Sequence, residues 1–157
     1  MTLPEKPSLG GPTKPANTDR APTPEENRRR SVLIVDDSQI NRVVLRQYLK
    51  GTPYQIDEAE NGAVAVEKVK ARGYDFIIMD LLMPEMDGFE AMRAIRTLED
   101  SRKRGRAGII ITLTAWPLKE AELESLSCGA DAYLTKPIGK AKLLEMLGSR
   151  SACADRG

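Results

Sequence analysis

Five times along this chain a short apolar run is followed by a stretch with helical spacing. No other feature limits the fold as tightly. Val32-Leu33-Ile34-Val35, Phe76-Ile77-Ile78-Met79 and Ile109-Ile110-Ile111 are continuous and rich in β-branched side chains, as parallel strands covered on both faces must be. They are expected to be central. Gln55-Ile56-Asp57-Glu58-Ala59 alternates apolar with acidic residues and suits one edge, while Ala132-Tyr133-Leu134-Thr135 suits the other. Between the runs, Ile40, Val43, Val44 and Tyr48 share one helical face, as do Phe89, Met92, Ile95 and Leu98, and later Lys140, Leu143, Leu144 and Leu147. Asn61-Gly62 opens a helix holding Ala65, Val66 and Val69, and Pro117 suits the first turn of another. The pattern reads as an α/β protein, (βα)5, whose right-handed crossovers give a parallel sheet with helices on both sides.

The folded part is expected at residues 31–148. Six prolines (4, 7, 12, 15, 22 and 24) and few apolar side chains mark residues 1–30 as a disordered, Pro-rich tail ending in Arg28-Arg29-Arg30. Residues 149–157 read as a short C-terminal tail. With 24 Lys+Arg against 23 Asp+Glu, the chain has no basic excess to displace counterions from nucleic-acid phosphates. It contains no histidine, which excludes a Ser-His-Asp triad, a histidine metal ligand and a phosphohistidine of its own. Cys128 and Cys153 are too few for a disulfide framework and fit a reducing compartment. Neither a membrane span nor the apolar core of a secretory signal is present in the sequence. A soluble cytoplasmic protein is therefore expected.

Chemistry gathers at the strand ends. Asp36-Asp37 follows the first run, Asp80 the third, Thr114 the fourth and Lys136 the fifth. A doubly wound sheet places its ligand crevice outside these carboxyl ends, so residues 100 positions apart in sequence come together there. Any one such Asp or Thr is more often a helix cap or turn residue. A complete set arising by accident at four strand ends is much rarer. Three converging carboxylates repel one another unless one is protonated or a hard cation lies between them. Mg²⁺ fits best, since it takes oxygen ligands, and without His or clustered Cys zinc is disfavoured. A lysine and a hydroxyl facing a metal-bound carboxylate suit phosphoryl transfer, where positioning and charge stabilisation dominate.

Val35-Asp36-Asp37-Ser38, Met79-Asp80-Leu81-Leu82-Met83-Pro84-Glu85-Met86-Asp87-Gly88, Leu113-Thr114-Ala115 and Tyr133-Leu134-Thr135-Lys136-Pro137 together resemble the response-regulator receiver domain of two-component signalling. The likeness covers roughly residues 31–148. Asn41-Arg42 and the Met-Pro turn make it most similar to receivers of hybrid sensor histidine kinases. The resemblance implies a flavodoxin-like sheet in the order 2-1-3-4-5 and a phospho-accepting protein that is not a conventional enzyme, catalysing only its own phosphorylation and slow dephosphorylation. Asp80 would accept a phosphoryl group from a histidine kinase or histidine phosphotransfer protein. Asp37, Asp80 and the backbone carbonyl of Leu82 would bind Mg²⁺, with Asp36 helping through water. Thr114 and Lys136 would contact the phosphoryl oxygens, and Tyr133 would move inward with Thr114 as the switch. A downstream protein would read the face made by the fourth helix, fifth strand and fifth helix. A cis bond between Lys136 and Pro137 is implied too.

Two positions depart from the commoner pattern of that family. Leu82 and Trp116 lie two residues beyond the phosphoacceptor and the switch threonine, where polar or small residues are frequent. Two bulky apolar groups exclude water and orient none, so slow hydrolysis is expected; for Trp116 a packing or partner-facing role is the competing expectation. Helical spacing favours burial for most of Leu118, Leu123 and Leu126. Ser101-Arg102-Lys103-Arg104-Gly105-Arg106-Ala107-Gly108 reads as a basic loop, either solvated or a dock for an acidic kinase surface. Cys128 is expected to be buried at a helix end. Met1 points to a stand-alone regulator and the hybrid-like motifs to a piece of a larger kinase, with the former favoured slightly. Other readings fit less well. A receiver that is never phosphorylated has no need of the intact acidic set. A haloacid-dehalogenase-like phosphatase needs an Asp where Leu82 stands. A flavin or nucleotide carrier wants a glycine-rich loop in place of Asp36-Asp37-Ser38.

Overall fold

The structure, a computed structural model, describes residues 29–102 and 108–154. Residues 1–28 of the expected 1–30 tail and the middle of the basic loop, 103–107, lie outside the described residues, whereas Arg30, the last residue of that expected tail, opens the first strand. Among the described residues, strands and helices alternate: β1 (Arg30–Val35), α1 (Gln39–Leu49), β2 (Tyr54–Ala59), α2 (Gly62–Ala71), β3 (Phe76–Met79), α3 (Gly88–Arg102), β4 (Ile109–Thr114), α4 (Lys119–Ser127), β5 (Ala132–Thr135) and α5 (Lys140–Ala154). The strands form one parallel sheet in the order β2-β1-β3-β4-β5. The three continuous apolar runs are its centre, and the two mixed runs its edges.

Because successive side chains of a strand point to opposite faces, β1 divides its residues between two cores. Leu33 and Val35 join Ile77, Met79, Ala65, Val69, Phe89, Met92 and Ile95, so α2 and α3 cover one face. Val32 and Ile34 join Ile78, Ile111, Leu45, Leu49, Leu143 and Leu147 under α1 and α5 on the other. Polar side chains set the helix starts. Ser38 Oγ accepts from the Asn41 amide at 3.4 Å to cap α1, and Asn61 Oδ1 accepts from the Val64 amide at 2.8 Å to cap α2.

Several expected details are corrected. In α1 the sheet-facing pair is Leu45 and Leu49, whereas Ile40 is 76% and Val44 41% exposed, so the helix turns its i, i+4 leucines inward and not the stripe starting at Ile40. In α4 the inward positions are the small Ala121, Ser125 and Cys128, spaced i, i+4, i+7, so Leu118, Leu123 and Leu126 all face solvent. Leu118 is the N-cap of α4, placing Pro117 just outside the first turn. The basic loop starts later than expected, since Ser101 and Arg102 end α3, and the Arg102 guanidinium donates to the carbonyls of Val69, at 2.7 Å, and Lys70 at the end of α2. At the C-terminus α5 continues to Ala154, beyond residue 148.

Candidate functional site

Parallel pairing of β1 with β3 and of β3 with β4 brings the residues after these strands to a common edge. Backbone bonds carry the order past the strands: the Asp80 amide donates to Val35 O at 2.9 Å, and the Asp36 amide to Ala59 O at 3.2 Å. Carboxylate oxygens of Asp36, Asp37 and Asp80 consequently lie within 4.8 Å of one another. Asp36 and Asp80 are buried and Asp37 is exposed. The pocket has a closed floor and an open lip.

Lys136, whose peptide bond to Pro137 is cis, reaches in from just past the end of β5. Its ammonium lies 2.6 Å from Asp36 Oδ2 and 3.3 Å from Asp80 Oδ2. Burial works against that charge, but the hydrogen bond to Asp36 and the negative charges of Asp80 and Asp36 outweigh it and leave the Lys136 pKa raised. Burial also pushes the Asp80 carboxyl up; Lys136 opposes this, Asp36 adds to it, and the Leu82 amide, by hydrogen bonding to the carboxylate, pulls it down. One cation thus serves two buried carboxylates and leaves negative charge in excess. An all-oxygen donor set with that excess fits a hard divalent cation better than a soft one.

Thr114 ends β4 fully buried, and its Oγ1 accepts from the Trp116 amide at 3.2 Å. The Tyr133 hydroxyl donates to the Trp116 carbonyl. The β4-α4 turn is thereby tied both to the buried threonine and to β5. Leu82 and Trp116 are exposed, 55% and 39% respectively, and with Ile40 they give three elements near the strand ends an exposed apolar side chain. Of the side chains anticipated for the site, Asp36, Asp37, Asp80 and Lys136 meet at this edge; Thr114 is the last residue of β4, and Tyr133 lies within β5, two residues before that strand's end.

Sequence reasoning missed what holds the site in place. Asn41 donates to both carboxylate oxygens of Asp36, at 3.3 and 3.2 Å, and Arg42 donates to the Asp36 carbonyl at 2.7 Å. Gly88 is packed so closely that a Cβ there would lie 2.3 Å from Asp80 O and 2.8 Å from Leu81 Cα; at Gly62 it would lie 2.6 Å from Met86 O. Only a hydrogen at these positions lets the β3-α3 loop close over the start of α2.

Paired acidic residues, a buried threonine and a lysine thus stand at the carboxyl edge of an open doubly wound sheet, where sheets of this class bind their ligands. The chain belongs to the response regulator receiver domain family, whose model matches residues 32–148. It is 41% identical over 120 residues to hybrid signal transduction histidine kinase B of Dictyostelium discoideum, covering 72% of this chain. The chain spans only 6% of that kinase's length. Among solved structures it resembles the receiver domain of the sensor histidine kinase PA1611 from Pseudomonas aeruginosa PAO1, which has a magnesium ion coordinated in its active site cleft (TM-score 0.67, 32% identity, covering 76% of this chain and 95% of that one). It also resembles a chain in the co-crystal structure of the Saccharomyces cerevisiae histidine phosphotransfer protein Ypd1 with the receiver domain of its downstream response regulator Ssk1 (TM-score 0.70, 35% identity, covering 75% and 86%). The fold and the strand order implied by the sequence are those of the structure. Among the described residues no helix is long and apolar enough to cross a membrane.

Proposed function

We propose that this receiver takes a phosphoryl group onto Asp80 from a phosphohistidine on a histidine kinase or histidine phosphotransfer protein, in the cytoplasm. The observation that carries the reading is the meeting of Asp36, Asp37, Asp80 and Lys136 at one strand edge. Asp37, Asp80 and the Leu82 carbonyl would hold Mg²⁺, with Asp36 helping through water, and the ion would supply charge neutralisation there. An Asp80 carboxylate oxygen forms the new P–O bond as the donor's P–N bond breaks, and that bond's electron pair stays on the imidazole nitrogen. Lys136 and Thr114 bind oxygens of the arriving group. The protein's contribution is alignment and charge.

The added group brings roughly −1.5 to −2 charge. Thr114 turns toward it, and the Tyr133 ring follows, biasing the face made by α4, β5 and α5. Exposed Leu118, Leu123 and Leu126 give α4 an apolar surface for a downstream protein to read. Leu82 and Trp116 shield the acyl phosphate from water and slow its hydrolysis. The chain catalyses its own phosphorylation and slow dephosphorylation and no other reaction.

Incubation with a small phosphodonor and Mg²⁺, followed by intact mass, tests the acceptor: wild type should gain a phosphoryl adduct and Asp80→Asn none. An adduct on both would place the acceptor elsewhere. The decay of the adduct in Leu82→Asn and Trp116→Glu should be faster than in wild type, and equal lifetimes would remove the shielding role.

A further inference from the structure

Asp36 is held far more firmly than either of its acidic neighbours. Its side chain is 2% exposed. Oδ1 accepts from the Ser38 amide at 2.9 Å and from Asn41 Nδ2 at 3.3 Å; Oδ2 accepts from Asn41 Nδ2 at 3.2 Å and from Lys136 Nζ at 2.6 Å. Its main chain is fixed from the same helix, because Arg42 Nη1 donates to the Asp36 carbonyl while Arg42 Nε binds Glu58 of β2 at 3.2 Å. Asn41 and Arg42 are consecutive residues in the first turns of α1, and they grip one aspartate by its two ends.

We propose that Asn41 is a positioning residue for the phosphoacceptor pocket, acting through Asp36. This rests on the reading of the pocket as a Mg²⁺ and phosphoryl site. The physical case is one of competition. Lys136 lies between Asp36 and Asp80, and a freely rotating Asp36 would swing with the ammonium or turn a lone pair toward the cation. A neutral donor pair at 41 fixes the carboxylate plane without adding a charge. A carboxylate at that position would repel Asp36, and an aliphatic side chain would leave its oxygens short of partners in a buried site. Asn41 itself is half-buried and its own amide is already capped by Ser38, so its side chain is not needed to start α1.

The test is Asn41→Leu, nearly isosteric and without donors. Leu is the better helix former, which offsets part of the cost of the donors Asp36 loses, so the metal-free protein should still fold, melting somewhat below wild type. Calorimetric titration should nevertheless show Mg²⁺ affinity weakened about tenfold, the usual scale for losing a partner that orients a ligand. Should Asn41→Leu fail to fold, Asn41→Ala makes the same comparison. A third readout needs no metal: in the metal-free protein, Asp36→Asn should move the side-chain amide resonances of Asn41 and leave those of Asn61, which binds Glu85 instead at 3.2 Å, in place. Unchanged Mg²⁺ affinity in the variant, or Asn41 resonances indifferent to Asp36→Asn, overturns the inference and leaves the pocket intact. Failure of the wild type to bind Mg²⁺ at all overturns the pocket reading with it.

Discussion

The two edges of the sheet use the same residue types to opposite ends. At the amino edge, Asp75 accepts from the Ser31 amide at 2.7 Å and from Ser31 Oγ at 3.1 Å, while Asp131 accepts from the Ile110 amide at 2.8 Å and pairs with Arg96 at 2.9 Å. Arg96 also donates to the carbonyls of Gly108 and Gly129 and to Glu99. Each of these carboxylates meets donors that the fold itself supplies. At the carboxyl edge two buried carboxylates share one ammonium, and a third lies exposed beside them. At each edge one cation is shared by two carboxylates, Arg96 by Glu99 and Asp131 and Lys136 by Asp36 and Asp80. The contrast lies in burial: Asp75 and Glu99 are half-buried and Asp131 exposed, whereas Asp36 and Asp80 are buried with a third carboxylate beside them.

Removing a hub at each edge should separate stability from function. The largest effect belongs to Arg96→Met, which leaves two carbonyls and two carboxylates without their shared donor and should cost about 3 kcal/mol in chemical denaturation. Mg²⁺ binding and phosphoryl acceptance should survive it; their loss would mean the edges are coupled. Gly88→Ala comes next, at about 2 kcal/mol, because the added methyl meets the Asp80-Leu81 backbone itself and the loop must shift. Here Mg²⁺ affinity should fall along with stability. A variant that loses stability but binds Mg²⁺ normally would show that Asp80 does not depend on this close packing.

Asp80→Asn should reverse the sign. Burial raises the Asp80 pKa from the model-compound 3.8, so as pH rises through that value the unfolded chain gives up its proton first. Stability falls from there up to the raised folded value and stays lower beyond it. Replacing the carboxylate with an amide should therefore stabilise the metal-free protein at neutral pH by roughly 1 kcal/mol, the scale on which function is commonly exchanged for stability. A lower melting point for Asp80→Asn would mean that the partnership with Lys136 already repays the burial of Asp80 without any cation.

How much of this was legible beforehand differs between the elements for physical reasons. Val32–Val35, Phe76–Met79 and Ile109–Ile111 are buried on both faces, and continuous apolar runs admit few other readings. The residues after them could be placed at one edge because topology fixes where parallel strands end. The facing of α1 and α4 was not legible. Periodicity identifies a helix but does not choose among overlapping stripes, and α4 hides Ala121, Ser125 and Cys128 while leaving larger leucines in water. Nor could Asn41, Arg42 or Gly88 be assigned from spacing, since their roles depend on distances across the fold: a guanidinium on a carbonyl, an amide on a neighbouring carboxylate, a missing Cβ against a backbone.

The smallest effect sits at the amino edge and sharpens the same contrast through pH. The Tyr74 hydroxyl donates to Asp57 Oδ2 at 2.7 Å, and Arg72, itself 3.5 Å from Asp57 Oδ2, stacks on the Tyr74 ring at 4.7 Å. Burial, and then the hydrogen bond and charge of Asp57, push the Tyr74 phenol from 10.0 to about 12. Below pH 10 both folded and unfolded chains keep the proton, and the contribution is complete. Between pH 10 and about 12 the unfolded chain ionises while the folded one does not, so the contribution declines, and it is gone above. Tyr74→Phe should cost under about 1 kcal/mol at neutral pH, because Asp57 keeps Arg72 and partial contact with water. The difference between wild type and variant should then shrink across that alkaline window and nowhere lower. Asp80 behaves in the same sense in a lower window, its burial lowering stability as pH rises through the acid range. A Tyr74→Phe difference that stayed flat to pH 12 would show that this part of the amino edge is looser than its hydrogen bonds imply.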